Sequence, residues 1–399
     1  MRPGRSRPNS FTEAMPLPYR PRRGAYSVIL VAALLPLSSI FPASASENAE
    51  VEILYLSAPG QDRGAAGARL GLADNNGTGR FLGQSFRLRE ATISDEKVEA
   101  DPTWSLVISD LPSQLLLALG DKPEMRQATI LDIATSDDAL RQESCRANVL
   151  HLLPSRAMLA DALMQYLVAK NWRRIMLLAG REPADALYAE AVRRATKKFR
   201  VSVVADKVWS FNPAAQRADT GHFQINSQVA EATRGEDYDV LVVADETGNF
   251  GNQLGYRSDK PRPVVGTQGL TPTAWSAVFD EYGSAQLQNR FQRSAGRPMQ
   301  ARDYAGWLAL RAIGEAAMRT AKTEPQAIGA YIRGGEISLA GYKGAPLSFR
   351  AWDGQLRQPI LLVDDHSLVS ISPQPGFLHQ FNTLDTLGID QPETQCRFK

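Results

Sequence analysis

The chain has 399 residues, with 45 Lys and Arg against 43 Asp and Glu and a formal net charge of +2. Six basic residues and one acidic residue fall in the first 45 positions, so the other 354 residues carry 39 basic against 42 acidic groups, a net charge of −3. That balance removes the electrostatic support for nucleic-acid binding, and 354 residues suffice for two compact units of ordinary size.

Arg20, Arg22 and Arg23 precede an apolar run over 28–41, and Ala43-Ser44-Ala45 follows as an A-x-A site. This pattern predicts a secretory signal peptide cleaved after Ala45, the run being short for a membrane span and ending in small residues. Beyond it the sequence predicts a strand over 51–56, a Pro/Gly turn at 58–60, a small-residue helix over 63–75, a Gly-rich turn at 76–79 and a strand over 85–90. That order makes a strand–helix–strand unit, the element of a parallel sheet. A strand over 104–109 and a helix over 111–119 come next, the helix led by Asp110 with Pro112 in its first turn. A strand over 128–133 runs into the polar turn 134–138. The extended segment 148–155 ends in Pro154-Ser155, which caps a long helix over 156–170. A second alternating series has strands over 174–178, 201–209, 240–244 and 264–265, with helices over 184–199 and 223–234. Helices over 273–282, 287–294 and 301–320 follow, then strands over 359–364 and 367–372 and a turn-rich tail after Pro373. The fold class is α/β.

The order of these features resembles the type I periplasmic solute-binding proteins of the branched-chain amino-acid receptor group. The Ala/Gly-rich helix ending in Asn (67–76), Phe81-Leu82-Gly83, DYAGWLALRAIGEAA at 303–317 and GYKGAPLSFRAWDGQLRQP at 341–359 carry the resemblance. The stretch 145–178 and the Cys-containing tail are similar to a subgroup of ABC solute-binding proteins associated with PQQ-dependent alcohol dehydrogenases. The resemblance implies two lobes, each a mainly parallel sheet flanked by helices, joined by three crossings. It places lobe 1 at 46–150 plus 272–350, lobe 2 at 151–271 plus 351–372 and the tail at 373–399. It further implies a periplasmic monomer that traps a small molecule and meets an ABC permease in the inner membrane, with no cofactor and no nucleic acid.

Relatives that bind amino acids hold the ligand carboxylate with hydroxyls and backbone N–H groups of the first lobe. Strand ends at helix N-termini favour anions, and the matching loops here hold Ser109 and Asp110, then Ala134, Thr135 and Ser136. Asp110 either places a carboxylate where it would repel that of a ligand or caps the next helix. Thr135 and Ser136 either face the ligand or cap a turn. In the second lobe such relatives pair the ligand ammonium with an acid in a G-x-D/E-G turn. This chain has Gly266-Thr267-Gln268-Gly269 instead, and Gln268 offers hydrogen bonds without countercharge. An α-amino acid is thereby disfavoured unless Glu246 or Asp245 substitutes. Tyr188 is either an aromatic wall of the site or core packing.

Cys145 and Cys396 are the two cysteines, and an even pair in an exported chain favours a disulfide tying the tail to the end of the first lobe. A metal site is the alternative, but there is no C-x-x-C and the four His are scattered. Asp364-Asp365-His366 and Asp137-Asp138 read as turn residues, since a hard cation draws six or more oxygens from several loops. No metal site is expected. G-x-S-x-G, P-loop, H-E-x-x-H and nucleotide-fingerprint patterns are absent, which favours a binding protein over an enzyme. A sensory or docking protein on the same fold is the competing reading.

Overall fold

The computed structural model describes residues 49–60, 63–93, 100–210 and 221–398; the expected signal peptide, 1–45, lies outside them. A first sheet is built from β1 (Ala49–Ser57), β2 (Gln84–Thr92), β3 (Leu106–Asp110), β4 (Thr129–Asp132) and β5 (Val149–His151). All pairs are parallel, in the order β2-β1-β3-β4-β5. One row of partners runs from Glu90 through Tyr55, Ile108 and Leu131 to Leu150. Alternation along each strand sends Ile53, Tyr55, Ile108 and Leu131 to one core and Leu54, Leu56, Val107 and Ile130 to another. Both faces are covered, which is why these strands read as nearly continuous apolar runs.

Helix α1 (Ala65–Gly79) lies against α7 (Ala301–Thr320) on the first of those faces. Gly67 makes the approach possible: a Cβ there would stand 1.7 Å from the Asp303 carbonyl oxygen. The helix runs through 76–79, where a Gly-rich turn was expected. Asn75 donates to the Leu310 carbonyl at 2.6 Å, and Asn76 exchanges two bonds with the Phe86 backbone. These tertiary bonds outweigh the poor helix propensity of Asn and Gly. Helix α2 (Ser113–Gly120) covers the opposite face.

After β5 the chain enters α3 (Arg156–Ala169), whose N-cap Ser155 accepts from the Met158 amide. A second sheet follows, made of β6 (Arg174–Ala179), β7 (Ser202–Val208), β8 (Val240–Ala244) and β9 (Val264–Gly266), with helices α4 (Pro183–Phe199) and α5 (Gly221–Thr233). It is parallel throughout, in the order β7-β6-β8-β9.

The chain then returns through β10 (Thr271–Thr273) to α6 (Ser284–Ala295), α7 and α8 (Pro325–Arg333), and through β11 (Leu339–Ala340), β12 (Pro346–Phe349) and β13 (Leu356–Arg357). Strands β14 (Ile360–Val363) and β15 (Leu368–Ser372) complete an antiparallel sheet in the order β10-β14-β15. Successive residues of β14 serve different cores: Leu361 and Val363 join that of the first sheet, Ile360 and Leu362 that of the second. This small sheet is the partition between two lobes, and the chain crosses between them before α3, at β10 and before β14.

The helix expected over 273–282 does not form. Pro272 and Thr273 are in β10, and Trp275 is fixed by its Nε1–H on Gln288 (3.2 Å) and by stacking 4.5 Å from Tyr304. Trp275 and Phe279 sit four residues apart, so buried aromatic anchors imitate a helical period. Helix α8 was not anticipated, although Pro325 at its first position is a start signal.

The tail follows β15 and touches both lobes. Gly388 N–H and Lys198 Nζ share Asp161 at 2.8 Å each, and Lys198 also reaches the Thr386 and Gly388 carbonyls. Asp385 accepts from Arg350 and Arg357. Cys396 is bonded to Cys145, and the Gln395 amide donates to Gln142.

Asp353 is buried near Arg350, and burial pushes its carboxyl up to about 6 although Arg350 and the Gln355 amide pull the other way. The folded chain therefore holds this proton more tightly than the unfolded chain, so stability falls as the pH rises from about 4 to about 6 and stays lower above. Asp353→Asn keeps an acceptor for the Gln355 amide. It is expected to stabilise the protein at pH 7 by about 1–3 kcal/mol and to flatten the dependence between those pH values, read by urea unfolding at several pH values.

Candidate ligand cleft

In the two parallel sheets β1, β3, β5 and β6 each lead into a helix N-terminus. In the first lobe, Asp110 closes β3 and is fully buried. It accepts from Tyr55 Oη (2.7 Å), the Gly64 amide (3.1 Å) and Arg302 Nη1 (3.4 Å). Burial raises its carboxyl above the usual range against these three contacts. It does not cap α2: the N-cap is Pro112, because Asp110 still belongs to the strand. Arg302 also donates to the Ala134 carbonyl at 3.0 Å, joining the β3 and β4 loops.

Asp132 organises the loop after β4. It accepts from the Ala134 and Thr135 amides and from Thr135 Oγ1, while Arg141 binds the Thr135 carbonyl at 2.9 Å. Thr135 is thus held as a turn residue. The Ser136 carbonyl accepts from the Arg156 amide, and its half-buried hydroxyl makes no hydrogen bond among the described residues. Ser109 is buried and its Oγ has no partner.

In the second lobe the carboxylate of Asp245 is turned inward, accepting from the Asn249, Phe250 and Gly251 amides. Asp245 is therefore a loop organiser and does not offer a countercharge to the cleft. Gln268 lies over Gly251, where a Cβ would meet Gln268 Cγ at 2.1 Å. Tyr188 is packed in the second-lobe core with its hydroxyl unpartnered, and burial together with the negative charge of Glu246 pushes its pKa well above the ordinary tyrosine value.

One side chain joins the two groups. Arg156, at the start of α3, donates to both oxygens of Glu246 (2.8 and 2.7 Å) and, through Nη1, to Asp137 of the first lobe. Asp137 also accepts from Ser113 Oγ. Burial alone would raise the Asp137 carboxyl, but Ser113, Arg156 and Arg141 hold it below the usual range. Burial likewise opposes the charge on Arg156, yet Glu246 and Asp137 raise its pKa above the ordinary value. The side chains are 10 % (Arg156), 26 % (Asp137) and 24 % (Glu246) exposed, so the pairing is well shielded from water.

Beside this cluster lies a cavity of ≈ 470 Å³ lined from both lobes and the tail. Its walls include Leu117, Leu140, Leu187, Ala191 and Ile389, with Arg194 among its polar groups. The predicted residues thus fall into a first-lobe group (Ser109, Asp110, Ala134, Thr135, Ser136) and a second-lobe group (Tyr188, Glu246, Gln268), linked through Asp137 and Arg156. Arg156 was not anticipated. Its signal was present, since an arginine in the first turn of a helix opposes the helix dipole and calls for an acidic partner. Among the described residues no cluster of three or more His, Cys, Asp or Glu could hold a metal ion, and no helix is long and apolar enough to cross a membrane.

Two parallel α/β lobes joined by three crossings define the type I periplasmic-binding fold. A branched-chain amino-acid ABC transporter periplasmic ligand-binding protein from Burkholderia xenovorans shares it, with TM-score 0.63 and 16 % identity over 80 % of this chain and 95 % of that one. An ABC transporter substrate-binding protein from Desulfitobacterium hafniense, solved with Leu, has TM-score 0.60 and 16 % identity over 80 % and 99 %. A solute-binding protein from R. palustris, solved with benzoate, has TM-score 0.60 and 10 % identity over 88 % and 100 %. No family model and no curated protein matches the sequence.

Proposed function

We propose that the protein is the periplasmic solute-binding component of an ABC-type uptake system, and not an enzyme. In this reading it is exported by a signal peptide at 1–45, acts as a monomer and presents a trapped small molecule to a permease in the inner membrane. Lobe 1 comprises 46–150 plus 272–350, lobe 2 comprises 151–271 plus 351–372, and 373–399 form the tail. Ser109, Asp110, Ala134, Thr135, Ser136, Tyr188, Glu246 and Gln268 are the proposed solute-facing set, although none of them lines the cavity beside Arg156 and Asp137. The observation that carries the reading is a cavity of small-molecule size lined by residues of both α/β lobes and the tail. The link to PQQ-dependent alcohol oxidation rests on the resemblance of 145–178 and the tail.

Small-angle scattering tests the mechanism. A saturating solute is expected to compact the protein, and a solute at about a hundred times its Kd should add roughly 2.7 kcal/mol of stability. Absence of compaction across amino acids, aromatic and aliphatic acids, alcohols, aldehydes and PQQ would refute it. One observation favours a second reading, a docking or sensing protein: Arg156 and the tail tie the lobes together through the protein's own side chains. Capture of a sensor rather than a permease from the membrane fraction would decide for it.

A further inference from the structure

We infer that the end of the second lobe opposite the cleft docks reversibly on a bilayer of anionic phospholipid. The inference goes beyond the solute-binding reading and does not depend on what the cleft binds.

The second sheet is parallel throughout, so the segments that enter its four strands all lie at the end away from the cleft loops. Helices α3 and α4 finish at that end. Lys170 follows α3, Arg173 leads into β6, Lys197 is in the last turn of α4 and Arg200 follows it. All four are exposed, and none forms an ion pair among the described residues. Helix dipoles favour cations at such positions, but the chain supplies these four with no counterion. The acids nearby are engaged: Asp237 by Lys260 and Arg262, Asp259 by Arg234, and Asp161 by Lys198 and Arg194. Asp239 accepts the Arg174 amide. Glu236 is the acid of these segments whose carboxylate meets no donor among the described residues. This end is therefore cationic, although the 354 residues after position 45 carry a net charge of −3.

The tail brings apolar surface to the same end. The Gln374 amide donates to Gln165 of α3 at 2.9 Å, and Phe377 meets Phe199, the last residue of α4, edge to face at 5.6 Å. The loop that follows is tied by His379. Its Nδ1 accepts the Phe381 and Asn382 amides at 3.2 Å each, while Nε2–H donates to Asp390 at 3.0 Å. This loop holds Leu378 85 % exposed and Phe381 82 % exposed.

Two apolar side chains cannot supply the roughly 800 Å² per partner that a stable protein interface buries. A bilayer asks for less. It closes around single Phe and Leu side chains, and its anionic headgroups attract the Lys and Arg beside them. Four unpaired cations next to an exposed Leu and Phe match that chemistry, and docking through this end leaves the cleft loops in solution.

Co-sedimentation with vesicles tests the inference. Residues 46–399 hold every described element and omit the apolar run 28–41, which would bind lipid by itself. That protein is expected to bind vesicles of equal parts phosphatidylglycerol and phosphatidylcholine at least about tenfold more tightly than vesicles of phosphatidylcholine alone, and to be released by salt. The variant K170Q/R173Q/K197Q/R200Q should lose at least about tenfold in affinity for the anionic vesicles, and L378S/F381S at least about fivefold. Both should keep the wild-type circular dichroism, since all six side chains are exposed. Equal binding to the two vesicles, no binding to the anionic ones, or wild-type binding by the glutamine variant would overturn the inference. So would a concentration-dependent dimer, seen by analytical ultracentrifugation, that L378S/F381S abolishes while vesicles are not bound; the apolar pair would then belong to a contact with a second copy. None of these outcomes bears on the solute-binding reading, which scattering with solutes tests separately.

Discussion

Replacing Asp385 by alanine is expected to lower the unfolding free energy by about 3–5 kcal/mol. Arg350 is 1 % exposed and Asp385 2 % exposed. Asp385 accepts from Arg350 Nε at 2.9 Å and from Arg357 Nε at 2.8 Å, and the rest of the Arg350 guanidinium is held by the Leu384 and Leu387 carbonyls. Without the carboxylate a buried guanidinium keeps only neutral acceptors and Asp353 at 3.8 Å. The cost is that of a charge left uncompensated in a poorly polarisable site, not the net worth of the pair. The double variant Arg350→Met/Asp385→Leu should accordingly recover most of the loss. Urea unfolding of the two variants measures both quantities; a loss below about 1 kcal/mol for Asp385→Ala would show that water reaches Arg350.

Removing the Cys145–Cys396 bond, by reduction or by the double serine variant, is expected to cost about 2–4 kcal/mol. The bond closes a loop across a sequence separation of 251 residues. Loop-closure entropy alone would give about 5 kcal/mol for such a loop, but the tail is also held by Asp161, Lys198 and Arg350, which limits what the bond adds. Thermal unfolding with and without reductant gives the number, and limited proteolysis locates the change. Cleavage should appear after Arg397 or within 373–395 before any site in the parallel sheets. An unchanged melting temperature would show that the non-covalent contacts of the tail suffice.

The tail also shows how far the sequence could be read. Two cysteines in a chain expected to be exported were enough to expect the bond, because pairing follows from compartment and count. That the tail touches both lobes was not readable: Asp161, Lys198, Arg350 and Asp385 lie on elements far apart in the chain, and nothing local to any of them shows its partner. The same division holds in the cleft. Strand ends such as Asp110 and the 134–136 loop could be placed at the rim of a sheet from alternation and turn residues alone. Their partners could not. Asp110 read either as a carboxylate at the ligand or as a helix cap before Pro112, whereas Tyr55, Gly64 and Arg302 engage it from elsewhere in the chain.

By itself the sequence determined the α/β class, the order of nearly all the long elements and the likeness to a two-lobed binding fold. Those features rest on local periodicity, caps and turn chemistry, which act within a few residues. Tertiary structure decided the course of 273–282, where aromatic anchoring replaced an apparent helix, and the continuation of α1 through its Asn/Gly end, where docking on α7 and β2 outweighed propensity. It also decided the charge state of the cleft. Whether Glu246 stands ready for a solute or is already paired depends on a residue 90 positions away, and only the tertiary placement of the start of α3 brings Arg156 to it.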